Sequence, residues 1–180
     1  MTSITDSLRR PTSEQQIQSL QKRAYALACK GQYEDALAIC NWLIEEPSTA
    51  KAGYRKRAAV LEHKGEFGRA IQDLQHLIES GSDEPADFYA LGQLQIQDRV
   101  FESAIDIVSR GIQICEVEGF DYYLNPLIVM RAFACLQLGD VRRTLEDARR
   151  LPDGYQSHFY GFGLKTKELL ISEAASRQRR

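Results

Sequence analysis

The chain has 180 residues, of which 43% are hydrophobic and 27% charged, the makeup of a folded domain or short repeat array and not of a disordered chain. Its formal net charge of −2 argues against a general affinity for nucleic acid or anionic lipid. No apolar run approaches the roughly 20 residues that a membrane-spanning helix needs, so no membrane insertion is expected.

The opening MTSITDSLRRPTSEQ has no apolar stretch of signal-peptide type, and residues 1–12 are expected to be flexible. IQSLQKRAYALAC then places apolar residues three and four apart, which predicts a helix. KGQYEDALAIC follows from Lys30, and related phrases return as KGEFGRAIQDL from Lys64 and DRVFESAIDIV from Asp98, a constant step of 34 residues. A fourth copy, LQLGDVRRTLEDA, arrives about six residues late. Gly31, Tyr33 and Ala36 thus correspond to Gly65, Phe67 and Ala70, to Arg99, Phe101 and Ala104, and to Gly139, Val141 and Thr144.

Upstream of the later copies lie GYRKRAAVLEH, FYALGQLQI and LIVMRAFACLQL, each with helical spacing. Every unit therefore reads as helix, tight turn, helix. Glycine allows the left-handed conformation that ends the first helix, the aromatic opens the second, and alanine lets two backbones approach. Arg99 in a glycine slot implies a strained turn, Pro126 is expected near the start of its helix, and EVEGFDYYLN implies a longer preceding helix or a looser joint. No segment alternates with period two, so strands are not expected.

After Pro152 and Asp153-Gly154, a final helix is expected to carry Phe159, Phe162, Leu169 and Leu170 on one side, or to begin only after Gly163. Cys29, Cys40, Cys115 and Cys135 lie in apolar helical patterns without a CxxC pair, which predicts buried reduced thiols and fits the cytoplasm. Arg55-Lys56-Arg57 and the other short basic runs read as solvated faces. Asp83-Glu84 reads as a helix cap. His63, His76 and His158 have no ligand partner at helical spacing, and GFG at 161–163 lacks the rest of a phosphate loop. No metal, cofactor or catalytic group is expected.

The period and the residues in its slots resemble the tetratricopeptide repeat (TPR) family. The small residue of each first helix falls on Ala24, Ala58, Gly92 and Ala132, and the large one on Leu20, Tyr54, Phe88 and Ile128. The resemblance implies an all-α solenoid of about four units over 13–152, with repeats at 14–48, 49–82, 83–118 and 122–152. A C-terminal capping helix and basic tail over 153–180 would complete it. It further implies a non-catalytic module that binds a protein segment in a concave groove. Gln18, Gln21, Tyr25 and Ala28, then Arg55, Ala59 and Glu62, would line that groove. Tyr89, Gln93 and Ile96, then Val129, Phe133 and Leu136, would continue it. At its apolar end two readings stand: Tyr89, Ile96 and Phe133 take a partner's hydrophobic anchors, or the C-terminal helix covers Val129, Phe133 and Leu136.

The carboxylate-clamp slots of chaperone-binding TPR domains hold Gln21, Tyr25, Lys56, Ala86 and Ala90, which leaves one cation and disfavours an EEVD-type tail. By likeness of size, an adaptor, a cytosolic secretion chaperone and an immunity protein that neutralises a toxin are the roles to weigh.

Overall fold

The computed structural model describes residues 13–179; the segment expected to be flexible at 1–12 and the terminal Arg180 lie outside the described residues. Two compact units meet in sequence between Ser82 and Asp83.

The first unit holds α1 (Glu14–Cys29), α2 (Tyr33–Ile44), α3 (Pro47–Lys64) and α4 (Phe67–Glu79). Ser13 caps α1 by accepting the Gln16 N–H, and Pro47 opens α3 where a missing N–H costs nothing. The repeating phrase acts as the spacing implies. Gly65 sits at φ 82° where α3 ends, and Tyr33 and Phe67 are the first residues of α2 and α4. α1 packs on both α2 and α3, α2 on α3, and α3 on α4. Ala24, Ala28, Ala36, Ala58 and Ala70 are buried where these helices cross, with Ile39, Leu43, Leu61 and Leu77 filling the space between. Each such large side chain contributes about 1.5–3 kcal/mol by leaving water. At Gly53 the approach is closest: a Cβ would lie 2.9 Å from the Cys40 carbonyl oxygen.

The second unit holds α5 (Pro85–Gln97), α6 (Phe101–Glu118), α7 (Asp121–Gln137), α8 (Val141–Arg150), β1 (Gln156–Phe159), β2 (Gly163–Thr166) and α9 (Lys167–Gln178). α5 packs on α6 and α7, α6 on α7, α7 on α8 and α9, and α8 on α9. The described residues thus contain four helix pairs in chain order, followed by a hairpin and a closing helix. The insertion before the fourth repeat lengthens α6, which ends at Gly119 with φ 74°, and starts α7 early. Arg99 does adopt the strained backbone, at φ 61°. Thr144, standing in an alanine slot, is fully buried, and its hydroxyl donates to the Asp140 carbonyl at 2.8 Å.

Five expectations are corrected. Strands do occur: β1 and β2 form an antiparallel hairpin with Gln156 opposite Thr166 and Phe159 opposite Gly163. Four-residue strands are too short to show alternation, and Gly161 and Gly163, at φ 76° and 73°, serve the turn instead of a helix. Phe159 and Phe162 therefore belong to the hairpin, and α9 starts after Gly163, capped by Thr166. Pro126 lies inside α7, where it leaves one intrahelical hydrogen bond unmade. Glu84 precedes α5 without a side-chain cap bond. Cys29 is exposed at the end of α1, whereas Cys40, Cys115 and Cys135 are buried; all four thiols are free.

Part of the Arg55–Arg57 run is also structural. Arg57 on α3 donates two hydrogen bonds to Asp73 on α4, at 2.7 and 2.6 Å, and a third to Asn41 on α2. The second unit repeats this arrangement: Arg131 on α7 holds Asp147 on α8 at 2.7 Å twice and reaches Ser109 on α6. Each clasp ties a helix pair to the second helix of the preceding pair. The paired Asp hydrogen bonds hold both guanidiniums above their ordinary pKa, against the opposing effect of desolvation.

Candidate functional site

In the first unit the residues expected to bind share the faces of α1 and α3. Gln18 is exposed, while Gln21 is half-buried and donates to the Ala52 carbonyl at 3.0 Å, pinning α1 to α3. Tyr25 is 42% exposed yet held on three sides. Its hydroxyl is hydrogen-bonded to His63 Nε2 at 3.1 Å, the imidazole stands edge-on to its ring, and Lys56 Nζ lies 5.1 Å from the ring centroid. Arg55 and Ala59 are half-buried and Glu62 is exposed. Ala28 is buried against the core. Desolvation pulls the Lys56 ammonium below its ordinary pKa, with Arg55 acting the same way against Cys40. Desolvation also pushes the Glu62 carboxyl up, opposed by His63. The sequence reading named Tyr25 but missed its braces; Lys56 and His63 lie on the same face of α3 at i and i+7.

The second unit separates the remaining residues. Ile96, Val129, Phe133 and Leu136 are buried and offer no surface to a partner. The ring of Phe133 is covered largely by the hairpin. Phe159 stacks on Phe133 at 5.0 Å between centroids, Phe162 meets it edge-on at 5.0 Å, and Lys165 Nζ lies 5.3 Å from the ring centroid. Arg177 of α9 donates to the Leu136 carbonyl. Tyr89 and Gln93 stay half-buried.

Tyr89 borders a pocket of ≈ 370 Å³ that it shares with Tyr122, Tyr123, Asn125 and Pro126 of α7 and with Tyr155 ahead of β1. The Tyr89 and Tyr123 rings lie 5.6 Å apart, and Tyr122 stands nearly perpendicular to Tyr123 at 5.0 Å. Burial raises the Tyr123 phenol above its ordinary pKa, with Tyr122, Glu84 and Asp87 adding to the effect. Burial and Tyr89 do the same to Tyr155. The tyrosines were legible as letters, but nothing in the spacing indicated that Tyr155 folds back against α5 and α7.

Among the described residues, no group of three or more His, Cys, Asp or Glu side chains could hold a metal ion, and no helix is long and apolar enough to cross a membrane. The surfaces that remain can supply aromatic faces, hydrogen bonds and isolated charges, which is the chemistry of polypeptide recognition.

No family model and no curated protein matches the sequence. Solved structures do match the fold. One is a Podospora anserina protein described as kinesin light chain nearly identical TPR-like repeats, superposing with a TM-score of 0.65 at 13% identity over 94% of this chain and 90% of that one. By fold, the chain is a TPR-like all-α repeat protein of the α-solenoid class.

Proposed function

We propose that the chain is a cytoplasmic protein-binding module, adaptor or chaperone-like in role, that captures a partner's segment on the open faces of its first helices. The observation that carries this reading is the state of Tyr25. An aromatic ring that is 42% exposed, yet fixed by His63, Lys56 and the α1–α3 contact, presents binding area with its ordering cost already met. Lys56 supplies charge at its ring, Arg55 and Glu62 lie on the same helix α3, and tyrosine and arginine are the types that most often dominate interface energy. In the second unit Tyr89 and Gln93 are the half-buried residues in the corresponding helix positions. The TPR-like fold supports the class of function, and the three buried thiols fit a reducing compartment.

The test is a pull-down from the native cell with the full chain and with Tyr25→Ala, Arg55→Glu and Tyr89→Ala. Proteins are identified by mass spectrometry, and helicity is checked by circular dichroism. A protein held by the parent chain and weakened about tenfold or more by these substitutions, at unchanged helicity, supports the reading. Equal capture by all four chains overturns it.

A further inference from the structure

The pocket in the second unit has walls of an unusual kind. Tyr89, Tyr122, Tyr123 and Tyr155 form them together with Asn125 and Pro126, so no leucine, isoleucine or valine lines it and no lining group carries a formal charge at neutral pH. The ring of Tyr123 is inclined to those of Tyr89 and Tyr122, at 52° and 82°, so the walls meet in angled notches and not in one flat face. Glu84, Asp87, Asp121 and Asp153 lie near these tyrosines in sequence, yet none of them lines the pocket. Glu84 and Asp87 each already have an interaction partner, and Asp87 is 1% exposed. The occupant that matches such walls is itself uncharged.

Hydrogen bonding narrows the choice. Asn125 is half-buried, and its side chain is hydrogen-bonded to no other described residue, so its amide N–H groups can donate to an occupant. An amphipathic helix spends its backbone carbonyls on its own hydrogen bonds. A leucine or phenylalanine anchor on such a helix would fill the notches and leave Asn125 without a partner. A polyproline II segment has no internal hydrogen bonds, so its carbonyls face outward as acceptors, and its prolines bring no N–H for the walls to satisfy. Its rings are compact, and their C–H groups beside the amide nitrogen carry partial positive charge that suits the negative faces of tyrosine. A volume of ≈ 370 Å³ falls at the small end of the roughly 300–1,000 Å³ typical of ligand pockets, which suits a short run of such residues.

We infer that this pocket receives a proline-rich segment of a partner polypeptide, with proline rings against Tyr122, Tyr123 and Tyr155 and a main-chain carbonyl accepting from Asn125. The inference rests on the protein-binding reading above and names the kind of segment that this site selects. Tyr89, which has an interaction partner of its own, contributes a ring as a wall and nothing more. A segment that is already extended before it binds loses little freedom on docking, which lets a small pocket hold it.

The test uses the full chain with blocked decaproline and with glycine peptides of the same length that carry a central leucine, phenylalanine or arginine. Binding is followed by the NMR signals of ring-labelled tyrosine at low and at high salt. Decaproline is expected to shift Tyr122, Tyr123 and Tyr155, to bind at least about fivefold more tightly than each glycine peptide, and to be indifferent to salt. Tyr122 is 82% exposed, so Tyr122→Ala leaves the fold intact; it should weaken decaproline about three- to tenfold. Asn125→Ala removes the donor and should weaken it about two- to tenfold. No shift with decaproline, tighter binding of the leucine, phenylalanine or arginine peptide, shifts confined to Tyr25, or indifference to both substitutions overturns the assignment. Loss of partner in the pull-down variants without any response to decaproline sinks this inference alone. Equal capture by all the pull-down chains, again without a response to decaproline, sinks both.

Discussion

Replacing Asp147 by alanine tests whether the Arg–Asp clasps hold the helix pairs. Asp147 is 3% exposed and accepts two N–H groups from Arg131 at 2.7 Å each. Without it, the Arg131 guanidinium keeps one bond to the Ser109 hydroxyl at 3.2 Å, and with a side chain 17% exposed it regains little water. Stranding one partner of a buried pair costs about 3–5 kcal/mol, and the residual exposure of Arg131 lowers the expectation to about 2–4 kcal/mol. Asp73→Ala in the first unit should cost less, about 1–3 kcal/mol, because Arg57 retains Asn41 at 2.8 Å and is 22% exposed. Converting the pair together, Arg131→Met with Asp147→Leu, removes both charges and should recover most of the loss. Urea unfolding followed by circular dichroism reads all three variants against the parent. A loss below about 0.5 kcal/mol for Asp147→Ala, or a double variant as unstable as the single one, would refute the reasoning.

Gly53→Ala should destabilise by about 1–3 kcal/mol, because the new methyl meets the α2 backbone at Cys40 and Ile44, whereas Gly68→Ala has open space and should be neutral or gain about 0.5 kcal/mol; thermal melts compare them. Thiol labelling at pH 8 should modify one cysteine quickly, and Cys29→Ser should remove that phase, since burial pushes Cys40 up to about 12 and Cys135 to about 11 while Cys29 is exposed. Hydrogen bonds depress the Asp153 carboxyl, through Lys167, and the Glu168 carboxyl, through the backbone N–H groups of Glu168 and Gly154 and the Thr166 hydroxyl. Folded values below the ordinary 3.8 and 4.5 mean their stabilisation is present above those values and lost as pH falls through the depressed ones. Amide exchange at Gly154, whose N–H donates to Glu168, should therefore lose protection relative to its intrinsic rate as pH falls below 4.5 through the depressed Glu168 value, and unchanged protection there would count against the contact.

The helix pairs were legible because the demands of a repeated turn are local. Gly31, Gly65 and Gly139 take positive φ, and the residues two positions on open the next helix. What escaped the sequence depends on contacts far apart in the chain. Arg57 and Asp73 are sixteen residues apart, and so are Arg131 and Asp147, yet charge pairs at that distance carry no periodic signal. The hairpin escaped because its glycines read equally as poor helix residues, and Pro126 was misplaced because the preceding insertion could be shared between α6 and α7 in several ways. Tyr25 and Tyr89 could be nominated as candidate surface residues; which of their counterparts are buried could not.

That last division follows from where a helix sits relative to the chain's end. Tyr25, Ala59, Gln93 and Phe133 occupy one slot in four successive first helices, and a slot rule treats them alike. A helix pair in mid-array has its exposed edge covered by the next pair, whereas the last pair has none and would present an apolar edge to water. The hairpin and α9 meet this need from outside the repeat, and the cover reaches over the inner face: Phe159 and Phe162 lie against Phe133, and Leu170 and Ala174 join the same core. An aromatic residue in that slot of the fourth repeat is therefore a core residue, although its counterpart Tyr25 is surface. The same covering segment brings Tyr155 against Tyr89 and Tyr123, so the element that buries Phe133 also completes the tyrosine pocket. Shortening the chain before Tyr155 would accordingly do two things at once, exposing the Phe133 edge and dismantling a wall of the pocket. A truncation experiment cannot separate stability from binding here, whereas the exposed Tyr122 can be changed alone.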